Sequence, residues 1–348
     1  MHSSAHHFWN NREILICVGP GGVGKTTAAA SLALAAAKNG KKTLVITVDP
    51  SRRLANALGL SDLPNIEHQI PAEIFRELGF ELSAPFWAMI PNVKRIFDDL
   101  IQHSGLNPSR QREIMNNPIY QRFSSTLSGS LEYAAIEKLY EIYTSKRYDL
   151  IILDTPPAQN VLDFLEAPQR IVDFLSNESV QWLIRPYLKN SQVSRKLLSL
   201  GSSLLNRTLG KMAGAETMRE LAKFILGFQG MYEGFVERSN AVQELFHNKT
   251  TGFVVVTSGQ RQQQQSALHF HKDLRKEGFH LAGFIGNRMQ QPNALLADEK
   301  KLLDWQHAMG LPDNHELIKA LNFNIALNKE ALESQAYLQK HVGNKQLI

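Results

Sequence analysis

The segment Gly19-Pro20-Gly21-Gly22-Val23-Gly24-Lys25-Thr26-Thr27 constrains the fold of this 348-residue chain more than any other. It fits G-x-x-x-x-G-K-[ST], a pattern that carries meaning when a strand leads into it and a helix leaves it. Both conditions hold: Ile14-Leu15-Ile16-Cys17-Val18 is an apolar run suited to a buried strand, and Ala28 to Ala37 is rich in alanine and leucine, strong helix formers. The glycines leave backbone N–H groups open to phosphate oxygens, and the helix N-terminus adds partial positive charge. Gly21, Gly22, Val23, Gly24, Lys25, Thr26 and Thr27 are therefore expected to wrap the phosphates of a nucleotide. Lys25 would bridge the β- and γ-phosphates, and the Thr26 hydroxyl would ligate Mg²⁺.

The helix ends at Lys38-Asn39-Gly40, a basic last turn followed by a glycine, and Thr43 to Val48 is a second β-branched run that delivers Asp49 to its end. That is a βαβ unit, which implies parallel strands and a right-handed crossover. Tyr148 to Asp154, Phe253 to Ser258 and Leu281 to Asn287 are further strands, the last two with a helix between them. The expected fold is α/β, a doubly wound, mostly parallel sheet of the P-loop type. From Ser61 to about Ser130, prolines at 64, 71, 85, 91, 108 and 118 punctuate short apolar stretches and give no strand signal. Leu131 to Tyr143 reads as a mixed amphipathic helix.

Between Pro168 and Asn248, three stripes recur at helical spacing: Ile171, Phe174 and Leu175; Leu197, Leu200 and Leu204; and Leu221, Phe224, Phe228, Tyr232 and Phe235. The tail from Asn293 reads as helices broken at Pro312. The organisation predicted is a nucleotide-binding core over 12–60, 131–167 and 249–348, a helical insertion subdomain over 61–130 and 168–248, and a flexible tail over 1–11.

A net charge of +5 without a Lys/Arg block of useful length gives no nucleic-acid or membrane patch, so no nucleic-acid partner is expected. A single cysteine, Cys17, excludes an intrachain disulfide and a multi-thiolate metal site, which points to a reducing compartment. Neither a signal-peptide h-region nor a membrane-length apolar run is visible, so the expected location is cytoplasmic.

In doubly wound sheets the ligand sits beyond the carboxyl ends of the strands, where this chain places Asp49, Asp154 and Asn287. Asp154 closes an apolar strand in the manner of a carboxylate that holds Mg²⁺ through its water shell. Asp49, in Asp49-Pro50-Ser51-Arg52-Arg53, can orient an attacking water or cap the helix that follows, and the two roles are compatible. Thr26, Asp49 and Asp154 thus form the expected Mg²⁺ set, partly through water. The Asn287 amide can read a base edge, and Arg288 follows it at the same place.

These residues resemble a family, the arsenical-pump and guided-entry (tail-anchored-protein-targeting) ATPases. The resemblance is carried by GPGGVGKTT at 19–27, TVDPSRRLANALGL at 47–60, YDLIILDTPPAQNVLDFLEAP at 148–168 and FIGNRM at 284–289. It implies an ATP- and Mg-dependent dimer, with itself or with a paralogue, in which helical domains open and close with hydrolysis. It also implies that Asp49 activates water, Asp154 holds the metal and Asn287 reads adenine. The family's signature lysine falls at Pro20, which carries no charge, so either Arg52, Arg53 or Arg288 substitutes for it, or a paralogous partner supplies the lysine, or turnover is slow. The paired metal-binding or arsenite-binding cysteines of the family are absent.

Two kinds of function follow. One is a nucleotide-gated binder of a hydrophobic client or membrane-protein partner, with Phe224, Phe228, Met231 and Phe235 as groove-lining candidates. The other is a slowly hydrolysing regulatory subunit of a heteromeric complex, which Pro20 favours. An energising role in an anion pump rests on the family name alone.

Overall fold

The computed structural model describes residues 6–49, 53–60, 66–126, 130–156, 165–178, 215–293 and 315–342, with isolated positions between 296 and 347. Five apolar runs become the parallel heart of one sheet: β1 (Ile14–Val18), β2 (Thr43–Thr47), β5 (Leu150–Asp154), β6 (Thr251–Thr257) and β7 (Leu281–Gly286). Residues 14–18, 43–47, 150–154 and 251–257 are buried throughout, as parallel strands covered on both faces must be. Alternation sorts them by face: Ile14, Ile16 and Val18 enter one core, Leu15 and Cys17 the other.

Two more strands lie where the sequence shows no strand signal. β4 (Phe86–Met89) pairs in parallel with β2, and β3 (His68–Gln69) runs antiparallel beside it, giving the order β3-β4-β2-β5-β1-β6-β7. The reading of 61–130 as helices and loops alone is thereby corrected. Four residues of FWAM are too few for a visible alternation, and Phe86, Ala88 and Met89 are buried whichever way they point.

The expected flexible tail also differs. His6–Trp9 forms α1, with Phe8 and Trp9 fully buried against the sheet, because two adjacent large aromatics gain more from burial than the short segment loses on ordering.

Helix α2 (Lys25–Lys38) lays Ala29, Ala33, Ala36 and Ala37 on the sheet, small residues that allow close approach. α3 (Arg53–Ala57) and α4 (Ala72–Glu77) follow β2 and β3. The second face is covered by α5 (Val93–Gln102), α6 (Pro108–Met115), α7 (Pro118–Thr126), α8 (Ser130–Thr144), α9 (Ala167–Ser176), α10 (Ala215–Gln229) and α11 (Tyr232–His247). α12 (Arg261–Lys276) links β6 to β7, and α13 (Glu316–Val342) runs for 27 residues near the end. Among the described residues no helix is long and apolar enough to cross a membrane.

The aromatic stripe is core, not groove. Phe224, Phe228, Met231 and Phe235 are each at most 7% exposed, and Phe228 stacks on Phe235 with ring centroids 5.6 Å apart. Tyr120 and Phe123 close around the same ring. The stripe is also broken at Gly230–Met231 into α10 and α11 rather than continuous. These side chains cannot line a client groove without unpacking the helical layer. The expected stripe at Leu197, Leu200 and Leu204 lies outside the described residues.

Candidate nucleotide site

The phosphate loop leaves the carboxyl end of β1 and opens directly into α2. Gly24 occupies the N-cap position at φ 87° with no side-chain cap, so the first N–H groups of the helix are left for a ligand. A Cβ at Gly24 would lie 2.2 Å from Asn287 Nδ2, and one at Gly19 would lie 2.2 Å from the Val256 carbonyl oxygen. The two glycines are therefore demanded by close approach of β6 and of the residue after β7 as well as by backbone conformation.

Lys25 is buried, and its Nζ donates to Gly19 O at 2.9 Å and Pro20 O at 3.1 Å. The ammonium is folded back on its own loop. Burial pushes its pKa down, while Asp154 pulls in the opposite direction.

Register explains the carboxylates. Thr47 on β2 pairs with Asp154 on β5, and Cys17 on β1 pairs with Asp154 from the other side. Thr47 Oγ1 donates to Asp154 Oδ2 at 2.8 Å and accepts the Asp49 N–H at 3.3 Å, so one hydroxyl ties the two carboxylate loops together. Thr155 Oγ1 donates to Cys17 O at 2.7 Å and pins the start of the loop after β5. Asp154 is fully buried, and its Oδ1 has no hydrogen-bond partner among the described residues. Burial pushes its carboxyl up to about 6, with the hydroxyls of Thr26 and Thr47 and the charge of Lys25 opposing. An orphaned carboxylate oxygen beside a threonine hydroxyl, at the mouth of an uncapped helix, is a hard-oxygen donor set of the kind Mg²⁺ takes together with phosphate and water. The residues present fit the metal.

Asp49 keeps 18% of its side chain exposed and accepts from Arg53 Nη1 at 2.9 Å, while the Arg53 side chain is 67% exposed. Arg52 lies outside the described residues. Thr26 is half-buried at the start of α2, and Thr27 is exposed.

A feature that the sequence reading missed surrounds the loop. Three successive carbonyls are each met by a side chain from outside: Gly21 O by Gln263 Nε2 at 3.2 Å, Gly22 O by Arg288 Nη1 at 2.9 Å and Val23 O by Asn287 Nδ2 at 2.8 Å. Gln263 is oriented in turn by the Ser258 hydroxyl, and Arg288 holds a positive φ of 53°. Three consecutive carbonyls of the loop are thereby held by side chains from β7's end and from α12. Asn287, expected to read a base edge, and Arg288 both contact the backbone of the loop. Gln263 gave no signal beyond its place in the run Gln262 to Gln265, which reads as a polar helix turn. A groove of about 280 Å³ opens beside this belt, lined by Gly22, Ser258, Arg288 and, from α13, Leu327 and Ala331.

The chain is 26% identical over 302 residues to "ATPase GET3B" of Arabidopsis thaliana, covering 81% of this chain and 66% of that protein. It is 26% identical over 300 residues to "ATPase ARSA1" of Chlamydomonas reinhardtii, covering 82% of this chain and 35% of that one. A shorter match, 34% over 154 residues, joins it to "ATPase get3" of Schizosaccharomyces japonicus, covering 43% of this chain and 42% of that one. The chain therefore spans between about a third and two thirds of the length of these relatives. The profile of a family described as anion-transporting ATPase matches residues 12–307, and the chain belongs to that family.

Proposed function

We propose that this chain binds Mg-ATP at the loop 19–27 and hydrolyses it, using the cycle to change conformation and dimer state and so to hold or release a protein partner. The observation that carries the reading is the orphaned, buried Asp154 Oδ1 beside Thr26 and Lys25 at an uncapped helix N-terminus. Bound Mg²⁺ supplies neutralisation of the charge on the phosphate oxygens. Asp154 and Thr26 would hold it, Lys25 would bridge the β- and γ-phosphates, and Asp49 would orient the attacking water. Asp49 and Asp154 share Thr47, so a change at one loop is transmitted to the other through a single hydroxyl. The helical segments within 61–130 and 168–248 would form the part that moves, and the base would enter the groove beside Arg288.

The resemblance assigns Asn287 to adenine reading, whereas its bond to Val23 O favours a role in shaping the loop. Asn287→Ala is expected to raise KM by roughly tenfold, the worth of one hydrogen bond that organises a charged site, with kcat little changed. The rise should be equal for ATP and GTP. A rise confined to ATP, measured by steady-state phosphate release with each nucleotide, would return Asn287 to the base.

A second reading, a slowly hydrolysing regulatory subunit, is favoured by Pro20, whose carbonyl serves Lys25 and whose ring offers no charge to a partner. Arg53 engaged with Asp49 and Arg288 engaged with Gly22 O are the described arginines available to replace it. Light-scattering molar mass with Mg²⁺ and a non-hydrolysable ATP analogue, against Mg²⁺ and ADP, tests the switch. The proposal expects a dimer with the analogue and a monomer with ADP; the same mass in both states contradicts nucleotide-gated self-association.

A further inference from the structure

At the N-terminal ends of β6 and β7, opposite the phosphate loop along the strands, a cavity of about 520 Å³ is lined by Arg12, Lys249, His271, Arg275 and His280 over an apolar floor of Leu274 and Phe279. Among the described residues no acidic residue contributes to the lining. Among the described residues neither Lys249 nor Arg275 forms an ion pair with a carboxylate.

The cavity is built rather than incidental. Arg12 is anchored by Nη1 donating to Phe8 O at 3.0 Å and Nη2 donating to Leu281 O at 3.4 Å. Its side chain crosses β6 at Gly252, where a Cβ would stand 2.4 Å from Nε and 2.5 Å from Cδ, so a residue with any side chain there would displace the guanidinium. Burial lowers the Arg12 pKa, so the fold holds this charge at a cost. His280 Nε2 lies 3.1 Å from His247 O, and the His271 ring packs edge-on against Phe284 at 5.4 Å, so both imidazoles are held in place. The His271 pKa is pushed down by burial, with a further contribution from the charge of Arg275.

The charges of Lys249 and Arg275 gather here beside the part-buried guanidinium of Arg12, and a multiply charged anion relieves their mutual repulsion. Arginine and lysine at the rim favour phosphate oxygens, and the volume is that of a small-molecule site rather than of a single ion. We propose that this cavity binds a phosphorylated anion carrying several negative charges, independently of the phosphate loop. The same chemistry is offered by a free oligophosphate compound and by a phosphorylated lipid headgroup.

The test uses the full chain with its phosphate loop saturated by Mg²⁺ and a non-hydrolysable ATP analogue. Inorganic tripolyphosphate is titrated calorimetrically, and phosphatidylcholine vesicles with and without phosphatidate are used for co-sedimentation, in wild type and in Lys249→Glu/Arg275→Glu. The proposal expects saturable binding of at least one probe, weakened by at least roughly tenfold in the double variant, since each reversal changes a contact charge. The ATP-analogue affinity and the far-UV spectrum should be unchanged, and the wild-type His271 ring resonance should shift on titration. Tripolyphosphate binding without co-sedimentation assigns a soluble ligand, and phosphatidate-dependent co-sedimentation alone assigns a headgroup. Equal affinity in wild type and variant, or no saturable binding of either probe, overturns the proposal.

Discussion

Lys25→Met is expected to raise the Kd for Mg-ATP by at least about a hundredfold while leaving the melting temperature of the nucleotide-free protein within about 3 °C of wild type. The first effect follows from losing charged hydrogen bonds to phosphate, each worth about 1.5–3 kcal/mol. The second follows from two opposing changes in the empty site. The variant forfeits the bonds to Gly19 O and Pro20 O, but it also removes a buried ammonium whose pKa the fold lowers. A lysine whose folded pKa lies below its unfolded value destabilises the fold while charged, so its removal offsets the lost bonds. Calorimetric titration and thermal unfolding check the two halves separately. Unaltered ATP affinity, or a large fall in melting temperature, would make Lys25 a structural residue instead.

Asp154→Asn should act in opposite directions on catalysis and on stability. Phosphate release is expected to fall by roughly 10³-fold, because several kcal/mol of charge neutralisation are lost with the metal ligand. The nucleotide- and metal-free variant should be more stable than wild type at pH 7.5. The Asp154 carboxyl sits at about 6 against an ordinary 3.8, chiefly through burial, a difference worth about 3 kcal/mol. The folded protein binds the proton more tightly than the unfolded chain does, so this contribution is complete below about pH 4 and is lost as the pH rises through 6. The asparagine variant mimics the protonated form. Its advantage should amount to about 5 °C in melting temperature at pH 7.5, shrink through pH 6 and vanish near pH 4. A variant that is less stable at pH 7.5 would show that the carboxylate is well solvated in the empty site. Such a site stores instability where function needs charge, a familiar trade-off.

The sequence made legible what is written in short range. A phosphate loop, the run before it and the alanine-rich helix after it lie within 25 residues, 14 to 38, and the structure places β1 and α2 there. The carboxylates at strand ends were legible because a parallel strand buried on both faces ends where polarity returns, as at Asp49 and Asp154. What escaped depends on distant partners. β4 is a strand because β2 offers it a ladder, not because FWAM alternates. Phe8 and Trp9 look like a frayed end until the sheet face that covers them exists. Phe228 carries the same helical spacing whether it lines a groove or a core, and only the rings of Phe123, Phe224 and Phe235 decide for the core. Gln263 and Asn287 meet the loop across more than 240 residues, and nothing local distinguishes a carbonyl-binding amide from a solvated one. Thr47 reads as a β-branched strand former, which it is, and its second task appears only when β2 and β5 align it with Asp154.

The most direct test of the central claim is phosphate release from ATP by the purified chain, with Mg²⁺ present and with Mg²⁺ chelated. Release should require Mg²⁺ and disappear in Lys25→Met. The absence of any Mg²⁺-dependent release, or release that Lys25→Met leaves intact, would contradict it.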